Sequence, residues 1–186
     1  MIPIEPLSLE SKLFYLSAVE FGGRLFRGPD DSDGQALDDW LELASLGPAE
    51  LANMLPENQP VFPGSEPDFA LPALLARLTQ ADDAAWARDL PDAFNRLFHP
   101  DTAAAKDAAM AHQMALDLEY LIALLAKGFL GEAPDMSAQA GSLCRDVLAP
   151  RITDLGAVLL EKDRTGVFTA AAAVMRAVVN DLGRRL

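Results

Sequence analysis

An all-α fold is predicted for this 186-residue chain by the spacing of its apolar residues. Apolar residues recur every three or four positions along most of the chain, which is the period of an amphipathic helix. Glycine and proline divide this pattern into about seven or eight segments, and none of them alternates apolar and polar residues as a half-buried strand does. We therefore expect residues 1–186 to form a single compact helical bundle of about seven or eight helices.

The first half of the chain is predicted to contain five helices. Ser8 caps the first, which extends to about residue 26 and ends at Gly28-Pro29. The next three are expected at about 35–46, 48–55 and 68–80, and a fifth begins at Asp82 or Asp83 and ends at the His99-Pro100-Asp101 break. Residues 56–68 contain four prolines and a glycine, which exclude a helix or a central strand. This stretch is predicted to be an internal loop.

The second half is predicted to contain a long central helix and two further helices. The long helix covers about 102–127, and its second part is apolar almost all round, which is typical of a helix surrounded by others. Its apolar stripe consists of Ala111, Met114, Leu118, Leu121 and Leu125. A helix over about 137–160 follows, with a kink or short break at Pro150. A turn at 162–166 leads to the last helix, at about 167–182.

The charge of the chain argues against two classes of partner. The sequence has 15 basic and 28 acidic residues, a formal net charge of −13. Such a surface repels phosphate, which disfavours nucleic acid and anionic membranes as partners. No apolar run approaches the roughly 20 residues of a membrane-spanning helix, and no basic residue precedes Lys12, as a secretory signal would need. We expect a cytoplasmic protein without membrane insertion.

Residues for catalysis or metal binding are scarce. Cys144 is the lone cysteine, and with two histidines, His99 and His112, it supplies too few ligands for a closed four-coordinate metal site. No phosphate loop, HExxH or GxSxG pattern is present. His112 lies near Asp107, where it could serve acid–base chemistry or act as a hydrogen-bonded helix residue. We predict no catalytic residue, no metal and no cofactor.

Asp117 stands inside the apolar part of the predicted central helix. Helix geometry places Gln113 and Tyr120 on the same face as this carboxylate. A carboxylate among apolar residues must be paired or line a cavity. Two interpretations follow: an internal ion pair, for example with Arg96 or Arg145, or a groove that accepts a cationic group of a ligand.

Four stretches then carry a resemblance to a known family. Residues 92–100 are DAFNRLFHP, residues 117–121 are DLEYL, residues 148–152 are LAPRI and residues 167–170 are VFTA. In this order they resemble the (Y/F)xRLF…P, ELEFL, HLxPW and FYxxLA segments of the TorD/DmsD/NarJ family, which are cytoplasmic chaperones for molybdenum oxidoreductases. The sequence departs from the family at its Pro-Asp-His turn, where Ala111-His112-Gln113 stands, and in lacking the aromatic residue after Pro150.

The resemblance implies a non-enzymatic chaperone. It would bind the N-terminal, twin-arginine-type signal peptide of the apo-form of a molybdenum oxidoreductase catalytic subunit, as a monomer or a helix-swapped dimer. The peptide-binding residues implied on this chain are Phe98, Pro100, His112, Gln113, Asp117 and Tyr120. The alternatives are a helical ligand-sensing or protein-interaction domain, such as the effector domain of a regulator, and a small helical enzyme that depends on Cys144 and His112.

Overall fold

The computed structural model describes residues 7–28, 83–99, 101, 104–131, 133–164 and 167–186. The α-helices of this part are α1 (Leu9–Arg27), α2 (Asp83–Phe98), α3 (Ala105–Leu130), α4 (Pro134–Leu143), α5 (Ala149–Lys162) and α6 (Val167–Arg185), and a π-helical turn at Cys144–Leu148 joins α4 to α5. These residues contain no strand, which confirms the all-α class for the described part. The helices expected at 35–46, 48–55 and 68–80 and the loop at 56–68 lie outside the described residues.

Helices α1 and α3 form an antiparallel pair. Lys12, near the start of α1, donates from Nζ to the carbonyl oxygen of Phe129, near the end of α3, at 3.3 Å. Further along α1, Gly23 lies against Leu118 in the middle of α3. Both helices therefore contribute one long side to a common core.

The continuous segment from α4 through the π-helical turn to α5 runs antiparallel to α3. At one end, Ser137 in α4 lies against Gly128 in α3, where a Cβ would be only 2.4 Å from the serine Oγ. At the other end, Lys162 in α5 pairs with Asp107 in the first turn of α3. The expected α3 boundary at residue 127 is therefore corrected to Leu130, because Gly128 lies within the helix and Gly131 forms the cap.

Helix α6 completes a ring of antiparallel neighbours. Tyr15 in α1 donates its hydroxyl hydrogen to Asp181 in α6, and Arg145 in the π-helical turn donates to the carbonyl oxygen of Gly183. Segments α1, α3, α4–α5 and α6 thus run alternately up and down, as in an up-down-up-down bundle. The expected apolar stripe of α3 lies in the core of this bundle, and its members are all buried: Ala111, Met114, Leu118, Leu121 and Leu125.

Helix α2 packs at the end of the bundle where α1 ends and α6 begins. Phe94 and Phe98 of α2 contact each other at 5.3 Å between ring centroids, and Phe98 also contacts Phe26 at 6.3 Å and Phe168 at 5.4 Å. Edge-to-face contacts of this kind add to the burial of apolar area. The aromatic cluster consequently fixes α2 to the ends of two other helices.

Two features of α1 follow the sequence signals. Ser8 is the N-cap, and its Oγ accepts a hydrogen bond from the backbone N–H of Ser11 at 3.1 Å. Gly28 ends the helix with φ 76° and ψ −176°, a conformation that is essentially restricted to glycine. A Cβ at Gly28 would lie 2.1 Å from the ring of Phe94, so the glycine also lets α2 approach.

The expected interruption at Pro150 takes the form of a π-helical turn. Proline has no N–H to donate, and its ring clashes with the carbonyl of the preceding turn in a regular α-helix. The wider turn at Cys144–Leu148 lies just before Pro150, which occupies the first turn of α5. The helix therefore continues past the proline.

Candidate functional site

Asp117 lies at the junction of α3 and α5. Its side chain is 14% exposed and pairs with the guanidinium of Arg151, which is 45% exposed. Arg151 reaches Oδ2 through Nη1, while Gln113 donates from Nε2 to Oδ1 at 2.9 Å. Of the two interpretations of this carboxylate, the ion pair is present in the structure. The partner suggested from the sequence is corrected, because Arg145 lies on the α6 side of its helix and bonds to Gly183.

Several exposed side chains accompany Asp117 on the outer side of α3. Gln113 and His112 are exposed, as are Leu116 at 41% and Tyr120 at 55%. Residues three and four positions apart are neighbours on a helix surface, so the exposed Tyr120 borders the carboxylate and the exposed Leu116 borders Tyr120. An anionic group beside apolar and aromatic surface can bind a segment that combines a cation with apolar residues.

Glu119, in the same DLEYL stretch, forms another ion pair of α3 with a neighbouring helix. Its Oε1 lies 2.9 Å from Nη1 of Arg27 at the end of α1, and both side chains are more exposed than that of Asp117. Two residues separate the directions of Asp117 and Glu119 by about 200° around the helix axis. The two carboxylates therefore belong to different surfaces, and each already holds a guanidinium.

Of the two remaining sequence-predicted site residues, the structure describes Phe98, which is 4% exposed and belongs to the aromatic cluster of the core. Phe94 and Leu97 of the same stretch face inwards together with it. The expected role of Phe98 as a wall of the peptide site stays a prediction. Pro100 lies outside the described residues.

Arg151 is the residue of this site that the sequence analysis did not single out. It belongs to the LAPRI stretch at 148–152, and Asp117 belongs to the DLEYL stretch at 117–121. Two of the four stretches that carry the family resemblance are therefore in direct contact through this ion pair. The family resemblance marks both stretches, and this was the signal that pointed towards Arg151. The contact between the two stretches was not predictable from their spacing in the sequence.

The thiol of Cys144 is unsuited to nucleophilic chemistry. The residue is fully buried, and burial raises the pKa of the thiol to about 12, although the charge of Arg145 lowers it in part. The thiol therefore stays protonated near neutral pH, and the nucleophile needed here is the thiolate. His112 is exposed on α3, so the structure does not place the two groups in a common pocket.

The described helices show neither a metal cluster nor a membrane span. Within this part of the chain, no group of three or more histidine, cysteine, aspartate or glutamate residues is arranged to hold a metal ion. None of the helices that the structure describes combines the length and apolar character needed to cross a bilayer.

Comparison with known proteins found no family model, no curated protein and no solved structure that matches the chain. The fold and the site define a helical bundle with a partly buried carboxylate between two of its helices. This carboxylate already binds an arginine, and exposed apolar side chains lie beside it.

Proposed function

We propose that this protein is a cytoplasmic chaperone for redox-enzyme maturation. It binds the N-terminal, twin-arginine-type signal segment of an apo molybdenum oxidoreductase subunit and holds that subunit for cofactor insertion and assembly. The observation that supports the proposal is the ability of Asp117 to hold a guanidinium at a surface that also exposes Leu116 and Tyr120. A segment with paired arginines followed by an apolar stretch needs both kinds of surface.

The carboxylate of Asp117 recognises one arginine of the segment. Carboxylates accept two parallel N–H bonds from a guanidinium, which fixes its orientation as well as its charge. Gln113 holds one carboxylate oxygen from the preceding turn, which limits rotation of the side chain. Asp117 is largely withdrawn from water, and a charge pair interacts more strongly there than on an open surface.

The apolar part of the segment lies along the outer side of α3. Leu116 offers aliphatic surface, and the ring of Tyr120 offers an aromatic face to a second cation or to an apolar side chain. A bound segment would lie on this helix as a second helix or as an extended strand. The net charge of −13 attracts a cationic segment over a longer range, so association is expected to slow as salt is added.

Calorimetric titration with a synthetic twin-arginine peptide tests the proposal. Asp117→Asn keeps the shape of the side chain and removes its charge, and we expect binding to weaken by about 2–5 kcal/mol, as for one side of a buried charge pair. Glu119→Gln is the matched control, because it removes one carboxylate from the same stretch at an exposed pair, where about 0–1 kcal/mol is expected.

A thermal melt of each variant must first show that it is folded. A folded Asp117→Asn protein that binds the peptide as tightly as the wild type would rule out the role of this carboxylate. Purification of the protein with its partners from the source cell tests the identity of the client. Recovery of a molybdenum-enzyme subunit supports the chaperone, whereas recovery of a small effector or of DNA favours a ligand-sensing domain.

A further inference from the structure

We propose that Arg151 is an internal competitor for the client's arginine. In the unbound protein its guanidinium occupies Asp117, and the arginine of the bound segment takes its place. This inference rests on the proposed function, because it concerns the regulation of the same carboxylate. It follows from the structure that the position which would receive the ligand is filled by a ligand-like group of the chain itself.

The two partners of the ion pair differ in how firmly they are held. Asp117 is 14% exposed and is also bound by Gln113. Arg151 is 45% exposed and projects from the adjacent α5. The carboxylate is therefore a fixed receptor, whereas the guanidinium reaches it from a long side chain that is already partly in water.

Exchange of one guanidinium for another leaves no buried charge without a partner. Removal of one member of a buried ion pair is strongly unfavourable, because the remaining charge is uncompensated. In the exchange, Asp117 passes from one guanidinium to another, and the released Arg151 moves into the solvent that it already contacts. A ligand without a cation at this position would have no such replacement to offer.

Competition of this kind predicts how affinity responds to removal of Arg151. When only a fraction of the molecules has a free site, the apparent dissociation constant equals the intrinsic one divided by that fraction. The factor depends on the internal pair alone and is the same for every ligand of the site. For a partly exposed ion pair, release of the competitor corresponds to about twofold to sixfold tighter binding.

The test compares Arg151→Gln with Arg27→Gln by calorimetric titration. Arg27→Gln removes the same charge from a different interhelical pair of α3, in which Glu119 and not Asp117 is released. The probes are the synthetic twin-arginine peptide and its twin-lysine counterpart. We expect Arg151→Gln to bind both peptides more tightly than Arg27→Gln by one common factor of about two to six.

A further variant, Arg151→Lys, keeps the test informative if Arg151→Gln does not fold. Arg151→Lys keeps the charge but lacks the planar fork of the guanidinium, so it is expected to compete less well and to give an intermediate affinity. Thermal melts of all three variants establish that the compared proteins are folded.

The outcomes separate this inference from the proposed function. If the wild type binds the peptide and Arg151→Gln and Arg151→Lys bind it no more tightly than Arg27→Gln, the competitor role is wrong while the binding site stands. A factor that differs between the two peptides also contradicts competition, because Arg151 would then contact the bound segment. If neither the wild type nor Arg151→Gln binds, the proposed function fails and the inference fails with it.

Discussion

The buried thiol of Cys144 is expected to reduce the stability of the protein at alkaline pH. In the folded protein, burial raises the pKa of this thiol to about 12 from a reference value of 9.0. In the unfolded chain the thiol ionises near its reference value. Above that pH the unfolded state binds fewer protons than the folded state, so the free energy of unfolding falls as the pH rises.

The size of the effect follows from the difference between the two pKa values. Each pH unit between them lowers the free energy of unfolding by up to about 1.4 kcal/mol. Between about pH 8 and about pH 10.5, the loss from Cys144 is therefore on the order of 2 kcal/mol. Replacement by alanine abolishes this loss, at the cost of about 1–2 kcal/mol for the vacated space in the core.

Urea unfolding followed by far-ultraviolet circular dichroism, under reducing conditions, measures the difference between wild type and Cys144→Ala at both pH values. Other groups that titrate in this range are present in both proteins, so they cancel in the difference. The wild type is expected to be the more stable protein at the lower pH and to lose that advantage at the higher pH. A difference between the two proteins that stays constant with pH would show that the thiol ionises equally well when folded.

Three further predictions concern contacts that hold the bundle together. Gly28→Ala combines an unfavourable backbone conformation with a clash against Phe94, and a thermal melt should show a loss of about 2–4 kcal/mol. Tyr15→Phe removes one hydrogen bond to Asp181, for which urea unfolding should give about 1 kcal/mol, and it should also remove the loss of stability above about pH 10 that follows from the raised pKa of the tyrosine. Lys162→Gln leaves the buried carboxylate of Asp107 without its cation and should lower the free energy of unfolding. Since the lysine is half-exposed, the decrease should stay below the about 3–5 kcal/mol of a fully buried pair. A negligible decrease would contradict the pairing.

The features of the fold that depend on residues within a single helix were predictable from the sequence. The N-cap at Ser8, the glycine end at Gly28 and the apolar stripe of α3 each depend on residues within a few positions of one another, and the structure confirms all three. The end of α3 was placed three residues too early, at residue 127. Glycine often ends a helix, but Gly128 lies inside α3, where the lack of a side chain leaves room for α4. This contact between helices is visible only in the structure.

The site was less predictable, because periodicity shows which residues share a face and not which helices touch. The sequence indicated that Asp117 needs a partner, and the structure supplies Arg151, 34 positions away, where Arg96 or Arg145 had been suggested. Phe98 illustrates the same point. An aromatic residue in a motif suits a ligand contact or a core contact equally well, and the structure packs Phe98 against three rings of the core. Its role in peptide binding stays a prediction.

The π-helical turn has a consequence for how the chain can tolerate insertion and deletion. A turn of this kind contains one residue more than an α-helical turn, and one residue corresponds to a rotation of about 100° around the helix axis. Deletion of one residue from Cys144–Leu148 would convert this turn into an α-helical turn, which completes the same rotation with one residue fewer, so α4 and α5 would keep their relative orientation. The same deletion inside a regular α-helical stretch would turn everything beyond it by about 100°. The π-helical turn is thus a place where the segment can lose one residue while Arg145 still faces Gly183 and Arg151 still faces Asp117.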